Sequence, residues 1–152
     1  GTSNYLVSIL EGNIIPEIVP LMIFIFSAFI AFTIGSSWGT VAIVMPLAIP
    51  LANSIGIPML PTIAAVLTAS VMGDHCSPIS DTTIMSSTAS AVDHMDHVST
   101  QMPYALTVGL VAALFGFLPA GLGFSAVYLL PLGLVVLYLI VSIIGKKADE
   151  VI

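Results

Sequence analysis

Gly73-Asp74-His75-Cys76-Ser77-Pro78-Ile79-Ser80-Asp81-Thr82-Thr83 is the stretch on which the fold turns. Carboxylates, hydroxyls and potential metal ligands crowd into it, yet it lies between the apolar run 62–72 and the small-residue run 84–92. The residue before a proline is pushed out of the right-handed helical region, and a glycine lets a chain leave a helix. The stretch therefore predicts one membrane crossing built from two half-helices. The first covers 62–72, and the second runs from an N-cap at Ser77, with Pro78 at the first helical position, to 92. Between them, 74–77 is expected to be unwound. A charged side chain at the centre of a bilayer costs about 2.5–3.5 kcal/mol on insertion scales, so a carboxylate kept there marks a site.

The surrounding composition supplies the membrane. Of 152 residues, 58% are hydrophobic and 7% charged, and the mean hydropathy is +1.16, values that exclude an ordinary soluble domain. Arginine is absent, and Lys146 and Lys147 are the only lysines. The acids Glu11, Glu17, Asp74, Asp81, Asp93 and Asp96 thus have no permanently cationic partner anywhere before Lys146. A buried carboxylate without such a partner must be protonated, hydrogen-bonded or bound to a cation. With a net charge of −6, the chain lacks the basic footprint that nucleic acid or anionic lipid headgroups require. Cys76 is alone and gives no disulfide framework. The chain opens mid-pattern on Gly1-Thr2-Ser3-Asn4 and is expected to be the C-terminal piece of a larger protein.

Working outward, residues 1–16 are expected to form an interfacial arm or loop. The run 18–34 is nearly a bilayer core in length, about 26 Å as a helix. It stops at Gly35-Ser36-Ser37-Trp38-Gly39-Thr40, and the next apolar run, 41–52, is only about 18 Å long and holds Pro46 and Pro50. Two spanning helices with a surface loop would fit such a pattern. The short second limb and the hydroxyl-rich turn favour instead a re-entrant hairpin over 17–52 whose tip, 35–40, ends inside the protein, where exposed backbone is tolerated. Residues 53–61 form a turn. The polar segment 93–102 is expected to be an aqueous loop, and 103–145 to form two scaffold helices, 103–119 and 124–144. Lys146 and Lys147 then place the tail, 146–152, in the cytoplasm. The loop 93–102 shares that side, and the hairpin opens from the other. Residues 17–92 form the transport-site half-domain in this reading.

A broken helix offers carbonyls at the end of its first half, around 69–72, and N–H groups at the start of its second, 79–81. Together with Asp74, Ser77, Ser80, Asp81, Thr82 and Thr83 these make an oxygen environment suited to a hard monovalent cation. The same carboxylates accept protons when the cation leaves, so one site can exchange the two by competition. Asp81 can alternatively do no more than stabilise a helix N-terminus. For Ser86, Ser87, Thr88 and Ser90 capping and packing suffice as explanations. His75, Cys76, Asp93, His94, Asp96 and His97 invite a transition-metal reading, but they straddle half a membrane and contain no two-cysteine element. A solvated turn is the bland reading of that segment, and pH sensing by His94 and His97 the functional one.

Thr33-Ile34-Gly35-Ser36-Ser37-Trp38-Gly39-Thr40, the block Gly73 to Thr83, and Asp93-His94, Asp96-His97-Val98 and Thr100-Gln101-Met102-Pro103-Tyr104 resemble the C-terminal part of the NhaC-type sodium/proton antiporter family. The likeness covers about residues 17–145. It implies an all-α polytopic membrane protein, one half of an inverted-repeat, elevator-like transporter with re-entrant hairpins and broken helices. Carried over by position, Ser36, Ser37 and Thr40 are the hairpin-tip ligands. Asp74, Ser77, Ser80 and Asp81 are the unwound-helix ligands, to which the residue reading adds Thr82, with Na+ expected at Asp74 and Asp81. The implied activity is Na+/H+ antiport in a prokaryotic cell membrane, without enzyme chemistry or a cofactor. The implied partners are the lipid bilayer, the missing N-terminal half and a second copy in a homodimer. The alternatives are a sodium- or proton-coupled exchanger of organic acids or amino acids, such as malate for lactate, and a structural membrane subunit.

Overall fold

The computed structural model describes Tyr5 and residues 15–145. Nearly all of the expected arm 1–16, and Lys146 and Lys147, lie outside the described residues. A 3-10 turn, Pro16–Ile18, leads into α1 (Val19–Ile34), followed by α2 (Ser37–Ser54), α3 (Met59–Cys76), α4 (Asp81–Ala89) and α5 (His94–Val111). A π-helical segment, Ala112–Phe117, carries α5 into α6 (Leu118–Gly121), and α7 (Ala126–Ile144) ends the described chain. No strand occurs among the described residues. Pro16–Ile34, Ser37–Ser54, His94–Gly121 and Ala126–Ile144 are each long and apolar enough to cross a membrane. The chain is an all-α, multi-pass membrane segment, and the exposed apolar side chains of α7, among them Leu130, Leu134 and Tyr138, have lipid as their natural solvent.

Helices α1 and α2 meet at a tight turn. Gly35 takes a left-handed conformation, φ +69°, and its N–H closes onto Ala31 O at 2.8 Å, the usual helix end at a glycine. Ser36 is extended and caps α2, its Oγ accepting from Gly39 N at 3.2 Å. This cap starts α2 at Ser37, a full turn before the apolar run, and Pro46 and Pro50 sit inside the helix without ending it. The second limb is therefore 18 residues long, about 27 Å, and the expectation of a limb confined to 41–52 is corrected.

The break between the two half-helices lies later than the sequence suggested. Gly73 and Asp74 remain helical, as does the chain to Cys76, and the non-helical link is 77–80. Ser77 itself is extended, φ −76° and ψ 128°, as a residue before proline should be. Gly73 serves a different purpose: a Cβ there would overlap Ala28 O and meet Ala31 Cβ at 2.8 Å. It lets α3 lie against α1 rather than letting α3 end. The second half is capped by Ser80, not Ser77, and runs only over Asp81–Ala89. It closes where Ser90 N bonds Ser86 O, Ala91 N bonds Thr88 O and Val92 N bonds Ser87 O.

The segment 93–102, expected to be a loop, is helical from His94. Asp93 Oδ1 accepts from Met95 N at 2.9 Å and Asp96 N at 3.1 Å, which satisfies N–H groups left free at a helix start. Apolar burial centres on α1, α2 and α3, through Val19, Ile23 and Phe24, Val44, Ala48 and Ala52, and Ala65, Val66 and Ala69. The small side chains of α2 and α3 allow the close approach typical of membrane helices. Phe24 stacks on Phe117 with centroids 4.7 Å apart, fixing the π segment against α1.

Candidate functional site

The α1/α2 turn and the link between α3 and α4 touch. Ser77 Oγ donates to Phe32 O at 2.7 Å, and a Cβ on Gly35 would come within 2.8 Å of Ile79 O. Both elements are interruptions of helix, so each supplies polar backbone that the other covers. Phe32 O is one of the last four carbonyls of α1, which have no partner within their own helix.

The structure separates the two carboxylates. Asp74 is only 6% exposed, in the last turn of α3, and its Oδ1 is buried without a hydrogen-bond partner. Asp81 is exposed and its Oδ1 accepts from Thr82 N at 2.8 Å, the helix-starting role that the sequence left open for it. No lysine or arginine occurs among the described residues, so nothing permanently cationic can neutralise Asp74 there. Both carboxylates are in helical turns rather than in the unwound link, because the helix persists to Cys76 and resumes at Asp81.

The hydroxyls divide in the same way. Ser77 and Ser80 are fully buried in the link. Besides donating to Phe32 O, Ser77 Oγ accepts from Ile79 N at 3.3 Å. Ser80 Oγ accepts from Thr83 N at 3.5 Å and pairs with the exposed Thr82 Oγ1 at 2.8 Å. In the turn, Ser36 Oγ caps α2, buried Thr40 donates from Oγ1 to Ser36 O at 2.9 Å, and Ser37 is half-buried. The carbonyls 69–72, expected to be free, are enclosed in the continuing helix. The free end has moved to 73–76, where Asp74 O accepts from Ser77 N at 3.0 Å and His75 O from Gln101 Nε2 at 3.2 Å.

His94 and His97 reach the break directly. His94 Nε2 is 2.7 Å from Pro78 O, and since a carbonyl only accepts, this nitrogen carries the hydrogen. Ser87 Oγ donates to Thr83 O at 2.8 Å, with His97 Nδ1 at 2.8 Å and His94 Nδ1 at 3.3 Å from the same oxygen. Residues from α5 thus strap the end of α3, the link and α4. Among the described residues no three His, Cys, Asp or Glu side chains gather as a metal site. Ser87, for which packing suffices in the sequence, touches both histidines, and Ser27 of α1 is fully buried with its Oγ unpartnered. Its signal was available: Ser27 is the one polar side chain in 18–32.

The chain matches the Na+/H+ antiporter family over residues 1–121. It is 44% identical over 125 residues to an uncharacterized protein of Haemophilus influenzae, covering 82% of this chain and 24% of that protein. It is 39% identical over 83 residues to the arginine/ornithine antiporter ArcD of Halobacterium salinarum, covering 55% of this chain and 17% of the relative. To the malate-2H(+)/Na(+)-lactate antiporter of Bacillus subtilis it is 30% identical over 110 residues, 70% of this chain and 24% of the relative. The chain spans about a quarter or less of the length of these relatives. No solved structure matches it significantly.

Proposed function

The chain belongs to the Na+/H+ antiporter family, and from that premise we propose that it carries the ion site of a sodium/proton antiporter in which Na+ and H+ compete for Asp74. Secondary transport is common to the family and to the named antiporter relatives. The finer reading rests on one observation above the others: a carboxylate 94% removed from solvent, with an unpartnered oxygen and no lysine or arginine among the described residues. A buried carboxylate must be protonated, hydrogen-bonded or bound to a cation, and Asp74 Oδ1 has no hydrogen-bond partner. Ser77 and Ser80 hold the link beside it, while Ser36, Ser37 and Thr40 shape the facing turn. Asp81 and Thr82 set the start of α4 and contribute at the margin.

In this proposal 17–52 is a hairpin whose turn lies at the depth of the break, and the chain is the site-bearing part of one inverted repeat. The rest of the transporter completes the pathway, a second copy completes a homodimer, and the C-terminus faces the cytoplasm of a prokaryotic cell. His94 gives the site a pH input. Its Nε2 donates to Pro78 O and its Nδ1 lies 3.3 Å from Ser87 Oγ, so the ring touches both the link and α4.

A second reading is coupled exchange of organic acids or amino acids, favoured by the names of two relatives, an arginine/ornithine and a malate/lactate antiporter. The chain contains no arginine to clamp a substrate carboxylate, so such a clamp would have to come from elsewhere in the transporter. Sodium-22 uptake against a pH gradient, in vesicles of the complete transporter, separates the readings. Uptake without any organic solute supports Na+/H+ exchange, and uptake strictly dependent on malate, lactate or an amino acid supports the second.

A further inference from the structure

We propose that Ser27 of α1 is the second side-chain ligand of the Asp74 site, its hydroxyl and the Asp74 carboxylate holding one small monovalent cation between α1 and α3. The inference rests on the reading of Asp74 given above and adds to it a residue from a different helix.

Two buried side-chain polar atoms among the described residues have no hydrogen-bond partner, Ser27 Oγ and Asp74 Oδ1. Buried hydroxyls elsewhere in the chain behave differently. Thr40, Thr62, Ser70 and Ser87 each donate to the carbonyl four residues earlier, the ordinary way for a hydroxyl to be satisfied inside a helix. Ser27 is fully buried and makes no such bond. An uncompensated polar group in a helix seam is costly, and two of them on adjoining helices point to a shared ligand.

The register of α1 and α3 brings them to one level. Gly73 lies on Ala28, and Ser77 bonds Phe32, a separation of 45 residues in each case. The two helices therefore run parallel, and Asp74 is level with residue 29. Ser27 is two residues away, about 3 Å along the helix axis. It is also one helical turn before Ala31, whose Cβ faces Gly73, the neighbour of Asp74.

Chemistry decides what such a pair holds. A hydroxyl adds a hard oxygen ligand without adding charge, so the pair keeps a single negative charge that one monovalent cation cancels. A proton needs only the carboxylate. Ser27 therefore favours the cation over the proton in their competition for Asp74.

The test is sodium-22 binding and transport by the purified complete transporter carrying Ser27→Ala or Ser27→Cys, with Asp74→Asn alongside. The cysteine variant keeps the volume and replaces a hard ligand with a soft one, so it carries the test where the alanine variant does not remain monodisperse. The expected result is at least a tenfold rise in the sodium concentration for half-maximal binding and in KM, with the maximal rate changed less than threefold and proton inhibition setting in at higher pH. Wild-type sodium binding by Ser27→Cys, with none by Asp74→Asn, overturns the role of Ser27 and leaves the Asp74 site standing. Wild-type binding by Asp74→Asn removes both.

Discussion

Ser77 Oγ donates a 2.7 Å hydrogen bond to Phe32 O, 45 residues earlier in the chain. This bond joins the link between α3 and α4 to the last turn of α1, and it satisfies a carbonyl that α1 cannot satisfy itself. Each interruption of helix is thereby the partner of the other, which is how polar backbone is kept away from lipid.

Ser77→Ala leaves Phe32 O without that donor and also removes the acceptor for Ile79 N. The expected cost is about 1–3 kcal/mol, read as a lower melting temperature of the purified transporter, with transport reduced in proportion to the loss of folded protein or beyond it. An unchanged melting temperature would show that the contact between turn and break contributes nothing to holding the fold.

Gly73→Ala tests the seam between α1 and α3. The added methyl would overlap Ala28 O, a backbone atom that cannot swing aside, so the helices must separate. Overpacking of this kind costs about 1–3 kcal/mol and moves Asp74 away from α1. Folded protein with normal stability and normal sodium affinity would contradict the close approach.

The histidine strap makes a prediction about pH. Replacing His94 and His97 together with Gln keeps polar side chains near Pro78 O and Ser87 Oγ but removes their titration. The pH profile of exchange should shift while the maximal rate stays within about threefold. Complete loss of transport at normal expression would mean the histidines do more than sense protons.

Asp81→Asn should be mild. Asp81 is exposed and bonds Thr82 N at 2.8 Å, and an asparagine oxygen can accept the same bond. Only the interaction of the charge with the start of α4 is lost, about 0.3–1 kcal/mol. A decrease in transport of less than about tenfold is expected, and abolition would place Asp81 among the ion's ligands after all.

The existence of the break was legible in Ser77-Pro78, because the restriction that proline imposes on its predecessor is local and holds whatever surrounds it. Its position was not. Gly73 has two uses, leaving a helix or admitting a neighbour, and only the approach of Ala28 and Ala31 decides between them. Similarly, the apolar run 41–52 understated α2, since the caps that set its length are hydroxyls outside the run. Asp74 stood out by charge alone, in a chain without a permanently cationic side chain before Lys146. Ser27 needed the structure, because a lone serine in an apolar run usually bonds back to its own helix, and what marks this one is that it does not.

The central claim is that Asp74 carries the charge for which sodium and protons compete, and Asp74→Asn in the complete transporter tests it most directly. The substitution keeps the shape and removes the charge, and losing a charge inside the membrane makes insertion easier rather than harder. Reconstituted into vesicles with a pH gradient, the variant should insert normally and show no sodium-dependent proton movement. Sodium transport at the wild-type rate with an unchanged pH dependence would contradict the account and leave Asp74 as a structural carboxylate.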